Sequence, residues 1–247
     1  MVVRASSASV CRCALAAAAS LLAAAGLVLP ERWARAGSGT EPNTTLEESA
    51  SSSRPAPISA SAPSSTSAPI GRERTAAALV AAAKERTRHR VTYDGSYHRL
   101  SYPGGDVPDS IGVCSDVVIR AYRALGIDLQ ERVHEDMRRA FSSYPRIWGL
   151  SRPDPNIDHR RVPNLEVFFT RHGESLPVTN DPADYRPGDL VTWRLPGNLP
   201  HVGIVVDSRS GDDVRPLIVH NIGRGPQLED SIFEYPVTGH YRYLPSE

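Results

Sequence analysis

The run GVCSDVVIRAYRALGIDL, residues 112–129, constrains the fold more than any other segment of the chain. Apolar residues recur in it at helical spacing, at Val117, Val118, Ala121 and Leu125. Charged residues take the opposite side, which is the pattern of an amphipathic helix, and Gly126 supplies a stop signal at its end. The sequence therefore predicts a helix with Cys114 at its front.

Cys114 lies one turn ahead of the apolar stripe, at the predicted N-terminus of this helix. Free backbone N–H groups and the positive end of the helix dipole favour a thiolate there, so this is a suitable position for a catalytic cysteine. The alternative is a small side chain that fills a gap in the core, because unpaired cysteine is often buried. The helix alone does not decide between the two.

The last third of the chain changes to short β-prone runs separated by Pro, Gly, Asn and Asp turns, which predicts an antiparallel meander. The runs are 190–195, 202–206, 217–220 and 240–244. Further helices are predicted from Thr75 to Arg88, from Leu129 onward behind an Asp128 cap, and from Pro163 to His172. Asp94-Gly95 predicts a hairpin turn within residues 91–100. The predicted fold class is α+β, helices packed on a small antiparallel sheet.

The first residues have the features of an export signal, with arginines before an Ala/Leu-rich run and small residues at a cleavage site. We expect a signal peptide over 1–36, a disordered Ser/Pro/Ala-rich linker over 37–71 and one folded domain over 72–247. Cleavage would remove Cys11 and Cys13 and leave Cys114 without an intramolecular disulfide partner. This favours a nucleophile, with an intermolecular disulfide as the minor alternative. The expected location is periplasmic or secreted, without stable membrane insertion after cleavage.

Charge gives no sign of a polyanionic partner. The chain has 28 basic and 28 acidic residues, and no basic stripe interleaved with aromatic residues, so nucleic acid is not an expected partner. We expect a monomer.

Two histidines on neighbouring predicted strands are candidates for the base that a thiol nucleophile needs. His201 opens the strand HVGIVVD and His220 closes the strand PLIVH. A symmetric hairpin centred on Ser210 and Gly211 would place the two rings directly opposite each other, within hydrogen-bonding reach. The alternatives are a strand-edge residue for His201 and a satisfied, half-buried side chain for His220.

The charged run DPNIDHRR, residues 154–161, predicts a long ordered loop. Loops this rich in hydrogen-bonding groups often line sites, so Asp158, His159, Arg160 and Arg161 are candidates for substrate contact. The alternative is a surface loop held by its own charges.

The motifs GVCSDVVIRAYRALGIDL, RPGDLVTW, HVGIVVD and LIVHN, in this order, resemble the NlpC/p60 superfamily of bacterial cell-wall cysteine peptidases, which have papain-like folds. Tyr102, in a Tyr-x-x-Gly-Gly context before the cysteine, is similar to the active-site tyrosine of that superfamily. The run from about Thr75 to Tyr243 more closely resembles the exported bacterial family called domain of unknown function 1287.

The resemblance implies Cys114 as nucleophile, His201 as general base and then acid, and His220 as the group that orients His201. Tyr102 and the Cys114 backbone N–H would stabilise the oxyanion. This chain departs from the superfamily pattern at Val113 and Asp116, which alters the pocket beside the nucleophile and makes Asp116 a further candidate for substrate binding. An imidazolium at His201 and the helix dipole would lower the pKa of Cys114 below about 8.5.

The resulting hypothesis is an exported thiol hydrolase that cleaves an amide bond in peptidoglycan peptide through an acyl-enzyme thioester, without metal or organic cofactor. One alternative is a transacylase or thioesterase of the same fold. The other is a wall-binding module whose catalysis has lapsed.

Overall fold

The computed structural model describes residues 67–245, so the predicted signal peptide (1–36) and nearly all of the predicted linker (37–71) lie outside the described residues. The described part contains four α-helices: α1 (Ser67–Arg86), α2 (Cys114–Arg123), α3 (Leu129–Ala140) and α4 (Val162–His172). Its strands are β1 (Thr92–Tyr93), β2 (Ile111–Gly112), β3 (Glu174–Ser175), β4 (Leu190–Leu195), β5 (Leu199–Arg209), β6 (Pro216–His220), β7 (Gln227–Glu229) and β8 (Val237–Arg242). Within residues 67–245 no helix combines the length and apolar character needed to cross a bilayer.

The helices agree with the sequence prediction except at the start of α1. Helix α2 begins at Cys114, and Asp128 caps α3 by accepting a 2.9 Å hydrogen bond from Gln130 N. Helix α1 begins at Ser67, inside the predicted linker. Thr75 does not cap this helix; its hydroxyl donates to Gly71 O at 3.0 Å, one turn back within the helix. Order therefore begins earlier than residue 72.

The predicted hairpin at Asp94-Gly95 is wrong. Strand β1 pairs in parallel with β2, so that Tyr93 lies beside Gly112, just before α2. The turn signal itself is real, because Asp94 Oδ1 accepts a 2.8 Å bond from Ser96 N. The chain leaves this turn as a loop and does not return as a partner strand. The parallel pairing brings Tyr93 close to Cys114.

The main sheet has six strands in the order β3-β8-β4-β5-β6-β7, and every neighbouring pair is antiparallel. The four predicted strands form its centre, which confirms the α+β class with a small antiparallel sheet. Edge strands β3 and β7 were not predicted, because two or three residues are too short to show a period of two.

The two faces of the sheet carry different layers. Val202 and Ile204 of β5 pack into the larger apolar cluster with residues of α1, α2 and α4. Val205, on the alternate side of the same strand, packs with Trp193 and Ile218 in a second cluster. Because side chains alternate along a strand, His201 lies on the face of its partner Trp193, away from the helices.

The register between β5 and β6 differs from the symmetric hairpin. Ile204 pairs with Val219 and Val205 with Ile218, and the register shifts again before Arg209. Continuing this ladder sets His220 opposite Gly203 and not opposite His201, so the predicted direct pairing is wrong. A slip of two residues keeps each side chain on its face, however, and the two rings meet diagonally.

Candidate active site

A buried ion pair holds the start of α2. Asp116 Oδ2 accepts a 2.7 Å bond from Val113 N, which satisfies one backbone donor at the helix N-terminus. Arg160 binds the same carboxylate with two bonds of 2.9 Å, from Nε and Nη2. The side chains are 2% and 3% exposed. Two parallel bonds to a fixed carboxylate orient the first turn of α2, on which Cys114 stands.

Arg160 also ties this turn to the rest of the chain. It donates to the backbone oxygens of Ser96 and Asp94, and its own carbonyl accepts a 2.7 Å bond from Ser115 Oγ. We call Asp116, Arg160 and Ser115 the ion-pair cluster. Asp116 and Arg160 were predicted to contact substrate; in the structure both side chains are buried and bonded to other groups of the protein.

Three other residues were predicted to contact substrate, and two of them, Asp158 and His159, are buried as well. Asp158 accepts a bond from Asp154 N and a 3.1 Å bond from Arg161, and burial raises the pKa of Asp158. His159 is 2% exposed, and burial, followed by the nearby Arg160, lowers its pKa to about 4. The charged loop packs against α3 and α4. The guanidinium of Arg161, the remaining candidate, lies over the Trp148 ring at 4.1 Å.

Cys114 is a free, buried thiol that packs in the larger apolar cluster. Burial raises its pKa to about 11, while the backbone N–H groups of Val202 and Ser115 act in the opposite direction. The predicted lowering of the pKa is therefore wrong for the closed structure. Burial removes the thiolate from water, and this destabilises it more than the nearby backbone N–H groups stabilise it.

The Val202 N–H shows where the sulfur lies relative to the sheet. The neighbouring Val205 directs its N–H and C=O toward the β4 side, to Asp189 O and Gly188 N. Alternation along the strand then turns the N–H of Val202 toward the β6 side. Strand β6 has ended at this level, and the Cys114 thiol lies close enough to the Val202 N–H for this group to lower the thiol's pKa. The sulfur thus lies at the edge of the sheet, beside the residue that follows His201.

Asn221 secures this gap at the end of β6. Its Oδ1 accepts bonds from Gly223 N and Gly225 N at 3.0 and 3.1 Å, and its Nδ2 donates to Gly112 O at 3.4 Å. These bonds fasten the loop after β6 to the segment that leads into Cys114.

The two candidate histidines are joined by a 2.7 Å hydrogen bond between His201 Nε2 and His220 Nδ1. His220 Nε2 in turn lies 2.9 Å from Glu229 Oε2. We call His201, His220 and Glu229 the histidine relay. Burial, followed by the neighbouring ring, lowers the pKa of His201 to about 3, and burial lowers the pKa of His220 against the opposing effect of Glu229. Both rings are thus neutral near pH 7, and a neutral imidazole can accept a proton.

No hydrogen bond joins Cys114 and His201 among the described residues. The thiol packs among the apolar residues on the helix side of the sheet, while the imidazole projects from the opposite face. His201 Nδ1 makes no hydrogen bond to any described residue, so this nitrogen of the base is not engaged by the protein. No cluster of three or more potential metal ligands occurs within the described range.

The structure places a different tyrosine at the thiol from the one predicted. The Tyr102 hydroxyl donates to Glu135 Oε1 at 3.1 Å and its ring packs edge-on against His134, so Tyr102 belongs to the surface of α3. Tyr93 instead faces the sulfur: its pKa is raised first by burial and next by the Cys114 thiol. The structure thus places the Tyr102 hydroxyl at Glu135, and the hydroxyl of Tyr93 is the one beside the thiol.

Sequence reasoning missed two residues of this region, Tyr93 and Glu229. Tyr93 follows from the parallel pairing of β1 with β2, which no local pattern announces. Glu229 lies on β7, where Ile218 is its direct partner and His220 its diagonal neighbour. The acidic pair in QLED, two strands along the meander from His201, was the one signal for Glu229 in the sequence.

Comparison with known proteins gives the family of the chain. Residues 80–243 match the family described as "Domain of unknown function (DUF1287)". The chain is also similar to the "Uncharacterized protein YijF" of Escherichia coli (strain K12), with 52% identity over 170 residues, 69% of this chain and 82% of that protein. The family match, over residues 80–243, includes α2, the β5–β6 hairpin and Glu229, and hence every residue of the site. With a family match over more than half of its length, the chain belongs to the DUF1287 family.

Proposed function

We propose that the protein is an exported cysteine hydrolase that cleaves an amide bond in cell-wall peptide through a thioester on Cys114. One observation carries this proposal: the thiol lies against the backbone of Val202, the residue next to His201, and the opposite nitrogen of His201 is bonded to His220. In the proposed mechanism a nucleophile, a neutral base and a group that orients the base act together at this edge of the sheet.

The reaction uses Nδ1 of His201, the nitrogen that the relay leaves open. Nδ1 takes the thiol proton as sulfur attacks the carbonyl carbon, and the Tyr93 hydroxyl donates to the oxyanion that forms. His201 then returns its proton to the departing amine as the carbon–nitrogen bond breaks. Water attacks the thioester, its proton passes to Nδ1, and the released thiolate recovers a proton from His201.

This mechanism needs the thiol to turn out of its closed position. In the proposed mechanism, rotation about the Cys114 side chain takes the sulfur from the Val202 N–H toward the face of His201. Bound substrate would displace water and bring the Cys114 thiol to His201 Nδ1, since catalytic hydrogen bonds are often absent before substrate binds. Cys114 is then a thiol that is activated by substrate, not a constitutive thiolate.

The assignment to a papain-like, NlpC/p60-like fold is part of the same proposal. It is supported by the order of elements: a cysteine at the start of a helix, followed by a sheet with histidines on two neighbouring strands. The cell-wall substrate, the monomeric state and the periplasmic or secreted location rest on the resemblance and on the pattern of residues 1–36.

The test is digestion of purified sacculi by the full chain, followed by mass spectrometry of the released muropeptides. We expect new peptide fragments with the wild type and none with C114S, because a serine hydroxyl lacks the nucleophilicity of the thiol. Matching unfolding curves for the two proteins serve as the control. Equal product patterns for wild type and C114S would refute the hydrolase.

The burial of Cys114 favours a second candidate, a wall-binding module without catalysis. In that case C114S and wild type bind sacculi equally and neither releases a fragment. The transacylase or thioesterase alternative gives a third pattern: the wild type forms an adduct on Cys114 with an acyl thioester but leaves sacculi intact.

A further inference from the structure

We infer that Glu229 is a positioning residue that fixes the tautomer of both histidines and so leaves the lone pair of His201 on Nδ1. The catalytic role of Glu229 rests on the proposed function. The proposed function itself does not depend on Glu229. The assignment follows from the hydrogen-bond roles that the relay permits.

The roles can be assigned one bond at a time, starting at Glu229. An ionised carboxylate has no proton to give, so in the 2.9 Å contact His220 Nε2 must donate. A neutral imidazole carries one N–H, and His220 Nδ1 is then an acceptor. In the 2.7 Å contact His201 Nε2 must therefore donate, which leaves Nδ1 of His201 unprotonated.

The opposite assignment is available in this environment. The Ser231 hydroxyl lies 3.3 Å from His220 Nε2 and can donate to it. His220 would then donate from Nδ1 to His201 Nε2. The proton of His201 would lie on Nδ1, and a protonated Nδ1 cannot accept a proton from a thiol. Glu229 selects against this state because a carboxylate cannot face an unprotonated Nε2.

Two contacts hold Glu229 in this role. Arg224 Nη2 binds the other carboxylate oxygen, Oε1, at 2.9 Å, so one oxygen is anchored while Oε2 meets the ring. Strand β7 pairs His220 with Gln227 and Ile218 with Glu229, which sets Glu229 diagonal to His220 on the same face. The arrangement is that of a histidine whose ring is fixed by a carboxylate, extended by a second histidine.

The experiment reads the ring protons directly. In the ¹⁵N-labelled full chain at pH 7.5, two-bond nitrogen–proton correlation spectra report which nitrogen of each ring carries the proton, with H201Q and H220Q used to assign the signals. We expect both rings to be protonated on Nε2 in the wild type. In E229Q the amide can face His220 as donor or acceptor, so we expect a substantial Nδ1–H fraction in both rings.

The matched control is E234Q, which removes another negative charge that acts on His220 but makes no hydrogen bond to it. We expect wild-type tautomers in E234Q. Fragment release from sacculi should fall at least about tenfold in kcat for E229Q, with KM unchanged, and should stay unaltered in E234Q. Circular dichroism and urea unfolding verify that both variants fold.

Each outcome has a distinct meaning. An Nδ1–H on His201 or His220 in the wild type, or unchanged tautomers in E229Q, overturns the role of Glu229 whatever the protein does to sacculi. The expected tautomers in a wild type that releases nothing would uphold the role of Glu229 and refute the hydrolase. An equal tautomer change in E234Q would assign the effect to charge alone and overturn the inference.

Discussion

The ion-pair cluster and the histidine relay both contain buried polar side chains, yet they differ in one respect. In the ion-pair cluster both carboxylate oxygens of Asp116 are bonded, by Arg160 and Val113 N, and Arg160 spends its other donors on backbone oxygens. In the relay, one ring nitrogen of His201 makes no hydrogen bond within the described residues. The ion-pair cluster can only stabilise the structure, whereas the histidine relay leaves one ring nitrogen free to accept a proton.

The comparison shows why charge alone was a poor guide to function in the loop 154–161. Asp158, His159 and Arg160 attracted a functional interpretation because charged residues in a loop often meet ligands. In the structure Arg160 fixes the helix that presents the thiol, while Asp158 and His159 are buried in the packing of the loop. In the proposed mechanism the neutral ring of His201, and not a charged residue of this loop, accepts the thiol proton.

The largest effect is expected from breaking the ion-pair cluster with R160M. This variant leaves the Asp116 carboxylate buried without its partner, and we expect a loss of about 3–5 kcal/mol in the free energy of unfolding. Urea unfolding at pH 7 measures it. R88A, which removes a partner of the exposed Arg88–Glu85 pair, is the control and should change stability by less than about 0.5 kcal/mol. A loss below about 1 kcal/mol for R160M would contradict the structural role assigned to the pair.

A smaller effect is expected in the pH dependence of stability, to which His201 of the relay contributes. Burial lowers the pKa of His201 to about 3, so below about 6.5 the unfolded chain takes up a proton that the folded chain does not. Stability therefore falls as the pH drops from about 6.5 toward 3, by about 3 kcal/mol for this one residue between pH 7 and 4.5.

The measurement is urea unfolding of the wild type and H201Q at pH 7 and at pH 4.5. The decrease in stability between these values should be smaller in H201Q by roughly that amount. His159, with a pKa lowered to about 4 by burial, remains in both proteins and cancels from the comparison. Equal decreases in the two proteins would show that His201 is not held neutral by burial.

The smallest effect is expected at the two tyrosines. Y93F removes the hydroxyl that faces the thiol. We expect kcat for fragment release to fall about tenfold, less than the roughly 10²–10³-fold of a buried oxyanion donor, because Tyr93 is 44% exposed. Y102F is the matched control, because its hydroxyl binds Glu135 on α3, and it should keep activity within twofold of the wild type, roughly. A larger loss in Y102F than in Y93F would reverse the correction of the tyrosine assignment.

The sequence determined the elements and the faces of the sheet. The apolar period of residues 112–129 fixes a helix that starts at Cys114, and period-two runs fix the strands that carry His201 and His220. The two rings were expected on one face, and they are, because a two-residue slip of the register does not change the side on which a strand residue points. These features depend on bonds and spacings within single segments, which the sequence records directly.

Tertiary structure decided everything that joins segments far apart in the chain. It paired β1 with β2, which brought Tyr93 to the thiol, and it buried the charged loop against α2. It also ended β6 beside Val202, which gave the sulfur its place at the edge of the sheet. Burial of Cys114 follows from the same packing and raises its pKa, against the trend that the helix dipole alone suggests. Desolvation and long-range partners depend on the whole packed chain, so no local pattern contains them.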